Sequence, residues 1–433
     1  MKLAKYLALT LLLFGTPFSA MAMSVGCDDA YVNLSNDEQV IDIAPTHSDD
    51  TVNIQCALDA AVSQGVPTIR LRARTYYTGA LMVENFKGTL EGISMLATVV
   101  EILDDTIECI AMNDAGRLSA AIKFVKGEPR IRFMTIRAEA SCKKGDGPET
   151  ILHFTGDPTG TANCGNDVIF AAVDRVVIDG IGFEFGPFAA VEASAEGRIL
   201  GGCKQTLLGT FKLNRSTVQN IRAGLITSMR SGAQVDVNFN EFRGNSQAVN
   251  LFDTNQNTTI TTNKFFGDNT FLGDYIAVYA NNYTKTPPPT SRMVVHNNEF
   301  NIASTFTKYW SYAVLVAFDI FGSEDIISNI SSVISNNRFN LDGDNVYGVR
   351  IKDISNAHVS ANRFIGKGRR AIYVSGKTAM TGWTITANTG FAKFTPFKPQ
   401  DIRLGYTTSL FIVGSGQGAS VRDDGQNNQV LPQ

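Results

Sequence analysis

Arg350 and Lys352 lie two residues apart in a short apolar strand, and Phe252, Tyr279 and Tyr373 hold similar places in others. The paired apolar positions of these strands are Val249/Leu251, Ile276/Val278, Val314/Val316, Val349/Ile351 and Ile372/Val374. If those pairs point inward, strand alternation turns the intervening residues outward: Asn250 and Phe252, Ala277 and Tyr279, Leu315 and Ala317, Arg350 and Lys352, Tyr373 and Ser375. Aromatic faces stack on sugar rings, and a basic pair suits carboxylated or sulfated sugars. Asp253 ends one strand, Asp274 precedes another, and Trp310 lies in an inserted loop where it can wall a groove. Inverting hydrolysis of a sugar chain needs a protonated carboxyl and a second carboxylate about 6.5–9.5 Å away. Asp253 and Asp274 are the candidates, with the protonated partner unidentified. β-Elimination from a uronate needs a cation on the carboxylate and a base at C5. Arg350 or Lys352 can be the cation; Lys352, Tyr279 or Tyr373 can be the base.

What must position these residues is a repeat. Asn240-Glu241-Phe242, Asn263-Lys264-Phe265, Asn298-Glu299-Phe300, Asn337-Arg338-Phe339, Asn362-Arg363-Phe364 and Asn388-Thr389-Gly390-Phe391 share one phrase, with successive Phe positions 23, 35, 39, 25 and 27 residues apart. Each phrase follows an alternating apolar run, and most precede a second one. Short strands repeated every twenty-odd residues, with variable insertions, mark a solenoid. Coils stack at about 4.8 Å, so equivalent residues form ladders. The phrase predicts Phe stacked in the interior and Asn amides hydrogen-bonded from coil to coil at a bend, with Asn itself taking the left-handed backbone.

Composition fits an ordered exported protein. Charged residues make up 18% of the 433-residue chain and hydrophobic ones 44%, with 38 glycines. Lys2 and Lys5, the apolar run 6–14 and Ala20-Met21-Ala22 read as a secretory signal over residues 1–22, too short for a membrane span. Removing it leaves 36 basic against 41 acidic residues, a formal charge of −5. That mild value points to neither nucleic acid nor an anionic membrane surface. All six cysteines follow the signal: Cys27, Cys56, Cys109, Cys142, Cys164 and Cys203. An even count in an exported chain suggests three disulfides; Cys27–Cys56 is expected, and the other pairings stay open. With four histidines (His47, His153, His296 and His358) and no zinc-type spacing, no metal or cofactor is expected. Asp342-Gly343-Asp344-Asn345 is similar to a calcium loop but lacks the twelfth-position Glu, and reads as a turn. His296 and His358 read as turn residues.

Residues 23–48 form a polar lead-in. Asp49, Asp50 and Thr51 offer a helix start, Ile54, Ala57, Leu58, Ala61 and Val62 share a helical face, and Gly65 stops the helix. Ile69, Leu71 and Ala73 then alternate with arginines in a strand. Thr51-Val52-Asn53-Ile54-Gln55-Cys56-Ala57-Leu58-Asp59-Ala60-Ala61, a Gly, that strand, Tyr76-Tyr77 and a Leu90-Glu91-Gly92 turn resemble the opening of the pectate-lyase-like right-handed parallel β-helix superfamily. The resemblance covers most of residues 49–391. It implies an all-β, right-handed parallel β-helix with an N-terminal capping helix, and a polysaccharide as partner. Residues 392–433 lack the repeat and are expected to be a C-terminal cap, with a strand at 410–413, and a tail. Gly348-Val349-Arg350-Ile351-Lys352 is similar to the Arg-Ile-Lys motif of polygalacturonase-type hydrolases. That family's acid falls on Gly273, however, and the coil that should carry its His has none. The chain therefore reads as a periplasmic or extracellular lyase or hydrolase for acidic or complex polysaccharide. The alternative is a non-catalytic carbohydrate-binding or surface protein.

Overall fold

A computed structural model describes residues 26–35, 37–103, 120–138, 150–156, 168–180, 188–194, 207–229, 232–252, 256–267, 274–282, 291–304, 309–318, 331–354, 356–376, 380–396, 400–405, 408, 412–414 and 419–431. The chain forms a right-handed parallel β-helix. Each coil of the repeat region contributes to three stacked sheets. The first holds Gln234–Asn238, Asn257–Thr261, Arg292–His296, Ser331–Ser335 and Ala357–Ser360, paired in parallel. The second begins in Glu241–Phe252 and continues through Lys264–Gly267, Glu299–Ala303, Arg338–Asp342 and Arg363–Gly368. The third takes the later half of Glu241–Phe252, then Tyr275–Asn282, Ser311–Phe318, Val346–Lys352 and Arg370–Ser375.

The Asn-x-Phe phrase sits between the first two sheets, and both expected ladders form. Phe242, Phe265, Phe300, Phe339, Phe364 and Phe391 are buried, with successive ring centroids 5.1, 4.8, 4.9, 4.6 and 5.6 Å apart. In each Asn rung the amide nitrogen donates to the next rung's oxygen, as Asn263 does to Asn298 at 3.0 Å. The left-handed residue is not the Asn. It is the one before: Phe239, Thr262, Asn297, Asn336, Ala361 and Ala387, at φ 54–60°. The bend needs one such residue, and the hydrogen-bonded Asn keeps ordinary φ beside it. A Phe or Thr in this region is unusual, and the ladder behind it holds it there. The ladder also starts earlier than the phrase. Ser216 N–H donates to Asn240 Oδ1 at 2.9 Å, and Val176 N–H donates to Ser216 Oγ at 3.1 Å.

The turn from the second sheet to the third changes the expected register. Val249 lies opposite Val278, not Ile276, and Leu251 lies opposite Ala280. Strand Tyr275–Asn282 is thus shifted by two residues from the apolar pattern. The cause is a bend at which two successive residues point inward, so simple alternation fails. Ala277, expected outside, is buried in the core, as are Ala248, Ala313 and Ala371. With Gly224 and Gly348 they form a column of small residues beside the Phe stack. A Cβ on Gly348 would lie 2.6 Å from the Ala371 carbonyl oxygen and 2.7 Å from the Phe364 ring. Gly348→Ala is therefore expected to destabilise the protein by about 1–3 kcal/mol, read as a lower urea midpoint; an unchanged midpoint would refute this packing.

The N-terminal helix α1, Thr51–Gln64, is capped by Asp50 and ended by Gly65 at φ 73°. It buries Ile54, Ala57, Leu58 and Ala61 on the first coil, while Val62 is exposed. Asp50 is fixed by backbone N–H donors from Thr46 (2.6 Å) and Tyr77 (3.1 Å). The next strand ends at Leu71, which leaves Ala73 exposed. The expected disulfide Cys27–Cys56 is present, with Cα atoms 5.8 Å apart. Residues 1–25 and Cys109, Cys142, Cys164 and Cys203 lie outside the described residues. Parallel pairing extends past the 49–391 span at both ends. Val40–Ile43 pairs with Thr68–Leu71, and Phe394–Pro396, Ile402–Leu404, Ile412–Gly414, Val421–Asp423 and Gln429–Val430 add strands after Phe391.

Candidate functional site

The third sheet carries the candidate residues on its outward side. Its central column runs Asn250, Tyr279, Leu315, Arg350, Tyr373 and Arg403 on successive coils. The column beside it runs Gln247, Ile276, Tyr312, Tyr347 and Arg370. On the other flank lie Phe252, Ala317, Lys352 and Ser375. The register therefore places Arg350 between tyrosines on three coils.

Its guanidinium carbon is 5.4, 5.7 and 5.5 Å from the ring centroids of Tyr312, Tyr347 and Tyr373. Arg350 Nη1 donates to Tyr312 Oη at 2.7 Å. The rings stack on one another, Tyr312–Tyr347 at 5.3 Å and Tyr347–Tyr373 at 5.9 Å. Trp310 extends the cluster, 5.8 Å from Tyr347 with Arg369 over its ring at 4.5 Å. Arg370 and Arg403 both stand over Tyr373. Ile276, Tyr312 and Tyr347 form a small apolar cluster outside the main core, against which Tyr279, Trp310, Leu315 and Tyr373 pack. Arg403 also pairs with Asp424 at 3.0 Å. The result is an aromatic platform edged by guanidinium groups.

Burial pushes the Tyr312 phenol up to about 12, against the opposing pull of Arg350, and burial raises Tyr347 as well. Neither phenol is a ready base at neutral pH. Burial and neighbouring Arg403 lower Arg370 from the usual guanidinium range. Because the folded-state value of Tyr312 lies above its unfolded value, the neutral phenol's contribution to stability is complete below about pH 10 and is lost as pH rises through about 12. Tyr312→Phe should flatten the fall in denaturation midpoint across that window; an identical fall in both proteins would count against the buried phenol.

The sequence candidates separate. Arg350, Tyr279, Tyr373 and Trp310 meet in the platform. Lys352 lies on the flanking column of the same outward side. Phe252 packs instead with Ala189, Ala223, Ile226 and Phe188. Asp274 is exposed, and its carboxylate accepts the Trp310 backbone N–H at 2.8 Å, tying that residue to the edge of the sheet. Asp253 lies outside the described residues. His296 and His358, read from sequence as turn residues, lie instead in strands Arg292–His296 and Ala357–Ser360, where His296 bonds Ser335 Oγ at 3.0 Å and His358 bonds Thr384. Asp344 is ion-paired with Lys367 at 2.6 Å. Among the described residues, no three His, Cys, Asp or Glu side chains converge. Two hollows open on the other sheets: about 460 Å³ beside Arg130, Phe170 and Lys212, and about 570 Å³ beside Phe266, Asn301 and Asn340.

Sequence reasoning missed the other end of the central column. Before Asn250 it runs Lys123, His153, Glu192 and Ile226. These three ionisable residues are 8%, 0% and 1% exposed. Glu192 accepts from Ser194 Oγ at 2.6 Å and from Thr150 Oγ1 at 3.1 Å. His153 Nε2 lies 3.4 Å from Ser194 Oγ. The available signal was one polar residue inside each of two apolar runs, Ile151-Leu152-His153-Phe154 and Ala190-Val191-Glu192-Ala193.

No protein-family model and no curated protein sequence matches the chain. Solved structures do. The Dettilon tailspike protein aligns with a TM-score of 0.56 at 11% identity, over 89% of this chain and 68% of that one. Tailspike protein 3 of bacteriophage CBA120 aligns at 0.50 and 11%, over 86% and 56%. The A-module of an Azotobacter vinelandii mannuronan C-5 epimerase aligns at 0.49 and 14%, over 88% and 92%. At these identities the likeness is one of fold. Among the described residues no helix is long and apolar enough to cross a membrane.

Proposed function

We propose that this is an exported, carbohydrate-active β-helix protein that binds an acidic polysaccharide along the outward side of its third sheet and acts on it as a lyase or hydrolase. The observation that carries this is Arg350, held among the rings of Tyr312, Tyr347 and Tyr373 on an open face. The half-buried rings of Tyr279, Tyr373 and Trp310 offer faces to sugars, with Tyr312 and Tyr347 buried behind them, and the preorganised guanidinium offers a planar fork to a carboxylate or sulfate. Arg369, Arg370 and Lys352 add positive charge to the same side. The Cys27–Cys56 disulfide and the N-terminal leader pattern support export. A second reading, binding without catalysis, is favoured by one feature of the platform. Among the described residues its cluster holds tyrosines, Trp310, Ile276, Leu315 and guanidinium groups, with Asp274 engaged by backbone at the edge.

The test is a panel of uronate, sulfated and neutral polysaccharides, scored for retention of the mature protein and for cleavage. The proposal expects retention by acidic polymers and cleavage of at least one. Lys352→Ala and Asp274→Asn separate roles on this face: Lys352→Ala should weaken retention, whereas Asp274→Asn should leave it near the parent value. Retention by neutral polymers alone would remove the proposal, and retention without cleavage would leave the binding reading.

A further inference from the structure

The first sheet continues toward the N-terminus through Leu208–Asn214, Val168–Asp179 and Arg130–Ala138, in register with Gln234–Asn238. On its outward side one column matches its charges from coil to coil. Glu91 stands between Arg70 and Arg132, at 2.9 and 2.7 Å, and Asp174, next in register, pairs with Arg215 at 3.0 Å. The neighbouring column breaks this rule. There Arg130, Ala172 and Lys212 follow one another, so two cations face each other across an alanine. Among the described residues neither cation has a side-chain partner. Asp236, on the coil beyond Lys212, accepts instead from Gln234 Nε2 at 2.8 Å.

The short Ala172 side chain leaves a hollow of about 460 Å³ between the two cations, within the size range of small-molecule sites. Ala172 is its floor, and the outward residues on either side of it, Phe170 and Asp174, close it along the strand. Arg130 and Lys212 stand on the adjoining coils, each about 4.8 Å from Ala172 along the solenoid. Thr210 completes the rim. Phe170 is 51% exposed, so its ring face is open to a ligand. Asp174 is neutralised by Arg215, and Arg132 by Glu91, which leaves the hollow positive through Arg130 and Lys212. Glu128, two residues before Arg130, is exposed but does not line it.

We infer that this hollow binds one acidic sugar residue: a six-membered ring carrying a carboxylate, as a free monosaccharide or as the end or branch of a longer glycan. The carboxylate lies over Ala172 and accepts hydrogen bonds from Arg130 and Lys212. It relieves the repulsion between them, and such charge-assisted bonds are the strong ones. The apolar face of the ring stacks on Phe170, which makes the site prefer a ring to a bare anion. Hydroxyl groups of the ring reach Thr210 and Asp174. The site lies on a different sheet from the platform and does not depend on it.

The experiment uses the mature protein carrying Arg350→Ala, so that the platform contributes little. Ligand-observed NMR titrations measure binding of glucuronate, galacturonate, methyl glucuronide and glucose, with inorganic phosphate as competitor. The sugar acids are expected to bind, with glucose and phosphate roughly tenfold weaker or more. Arg130→Met and Lys212→Met should each weaken glucuronate roughly tenfold or more, as loss of a charged hydrogen bond does. Ala172→Glu places the protein's own carboxylate between the cations and should abolish binding while the melting temperature holds or rises. Binding of methyl glucuronide assigns the site to a glycan residue; binding of the free acids alone assigns it to a monosaccharide. No binding of any sugar acid, equal affinity for glucose, competition by phosphate as strong as by galacturonate, or unchanged glucuronate binding in folded Ala172→Glu overturns the inference. If Ala172→Glu does not fold, unchanged affinity in both cation variants overturns it. Failure of the unmodified platform to bind uronate bears on the platform alone, since every measurement here is made without Arg350.

Discussion

Replacing Asn337 by Ala is expected to destabilise the solenoid by roughly 3–5 kcal/mol. Asn337 is 1% exposed and serves two neighbouring coils. Its Nδ2 donates to the Val295 carbonyl at 2.9 Å and to Asn362 Oδ1 at 3.0 Å. Its Oδ1 accepts from the Asn298 backbone N–H at 2.9 Å and from Asn298 Nδ2 at 3.0 Å. Ala takes these partners from the Asn298 backbone N–H and the Val295 carbonyl on one neighbouring coil, and each orphan costs about 1–3 kcal/mol. Urea denaturation followed by circular dichroism measures the loss. A change below about 1 kcal/mol would show that the rungs are independent of one another.

Arg350→Ala is expected to weaken binding of uronate oligosaccharides roughly 10–100-fold, because a hydrogen bond between charged groups contributes about 1.5–3 kcal/mol. Affinity for neutral oligosaccharides should change little. Arg350→Lys should recover only part of the loss. A lysine keeps the charge but not the planar fork that donates to Tyr312 Oη and lies among three rings. Tyr312→Phe removes that hydrogen bond but keeps the ring, so it should cost less than Arg350→Ala. Calorimetric titration of the three variants gives the order. Loss of neutral and acidic ligands alike in Arg350→Ala would mean that the residue supports the platform's shape rather than its charge.

The fold was legible because its rungs are spelled with one residue type. Six Asn and six Phe at variable spacing are hard to arrange otherwise, and the outward place of Arg350 and Tyr373 follows from the strands after them. Ser216 was not legible as a rung, since a hydroxyl takes the amide's acceptor role without sharing its letter. The register of strand Tyr275–Asn282 was misread because the bend buries Ala277 and Val278 in succession, which no period-two pattern encodes. Tyr312 and Tyr347 escaped notice for the same reason: they lie just before the bend, where the inward–outward count restarts. His153 and Glu192 form no motif, as 39 residues separate them and only parallel pairing of Thr150–Thr155 with Ala189–Ser194 makes them neighbours. Arg350-Ile351-Lys352, similar to the polygalacturonase-type motif, ends strand Val346–Lys352 of the third sheet, and Asp274 accepts the Trp310 backbone N–H.

The central claim is that the third sheet's outward side recognises the carboxylates of a sugar chain. Its most direct test titrates the mature protein with a uronate oligosaccharide and with the same oligosaccharide after reduction of its carboxyl groups. Tenfold or greater loss of affinity on reduction, about 1.4 kcal/mol, together with weaker uronate binding as salt increases, is the predicted result. Equal affinity for the two ligands, or binding that salt leaves unchanged, would contradict it.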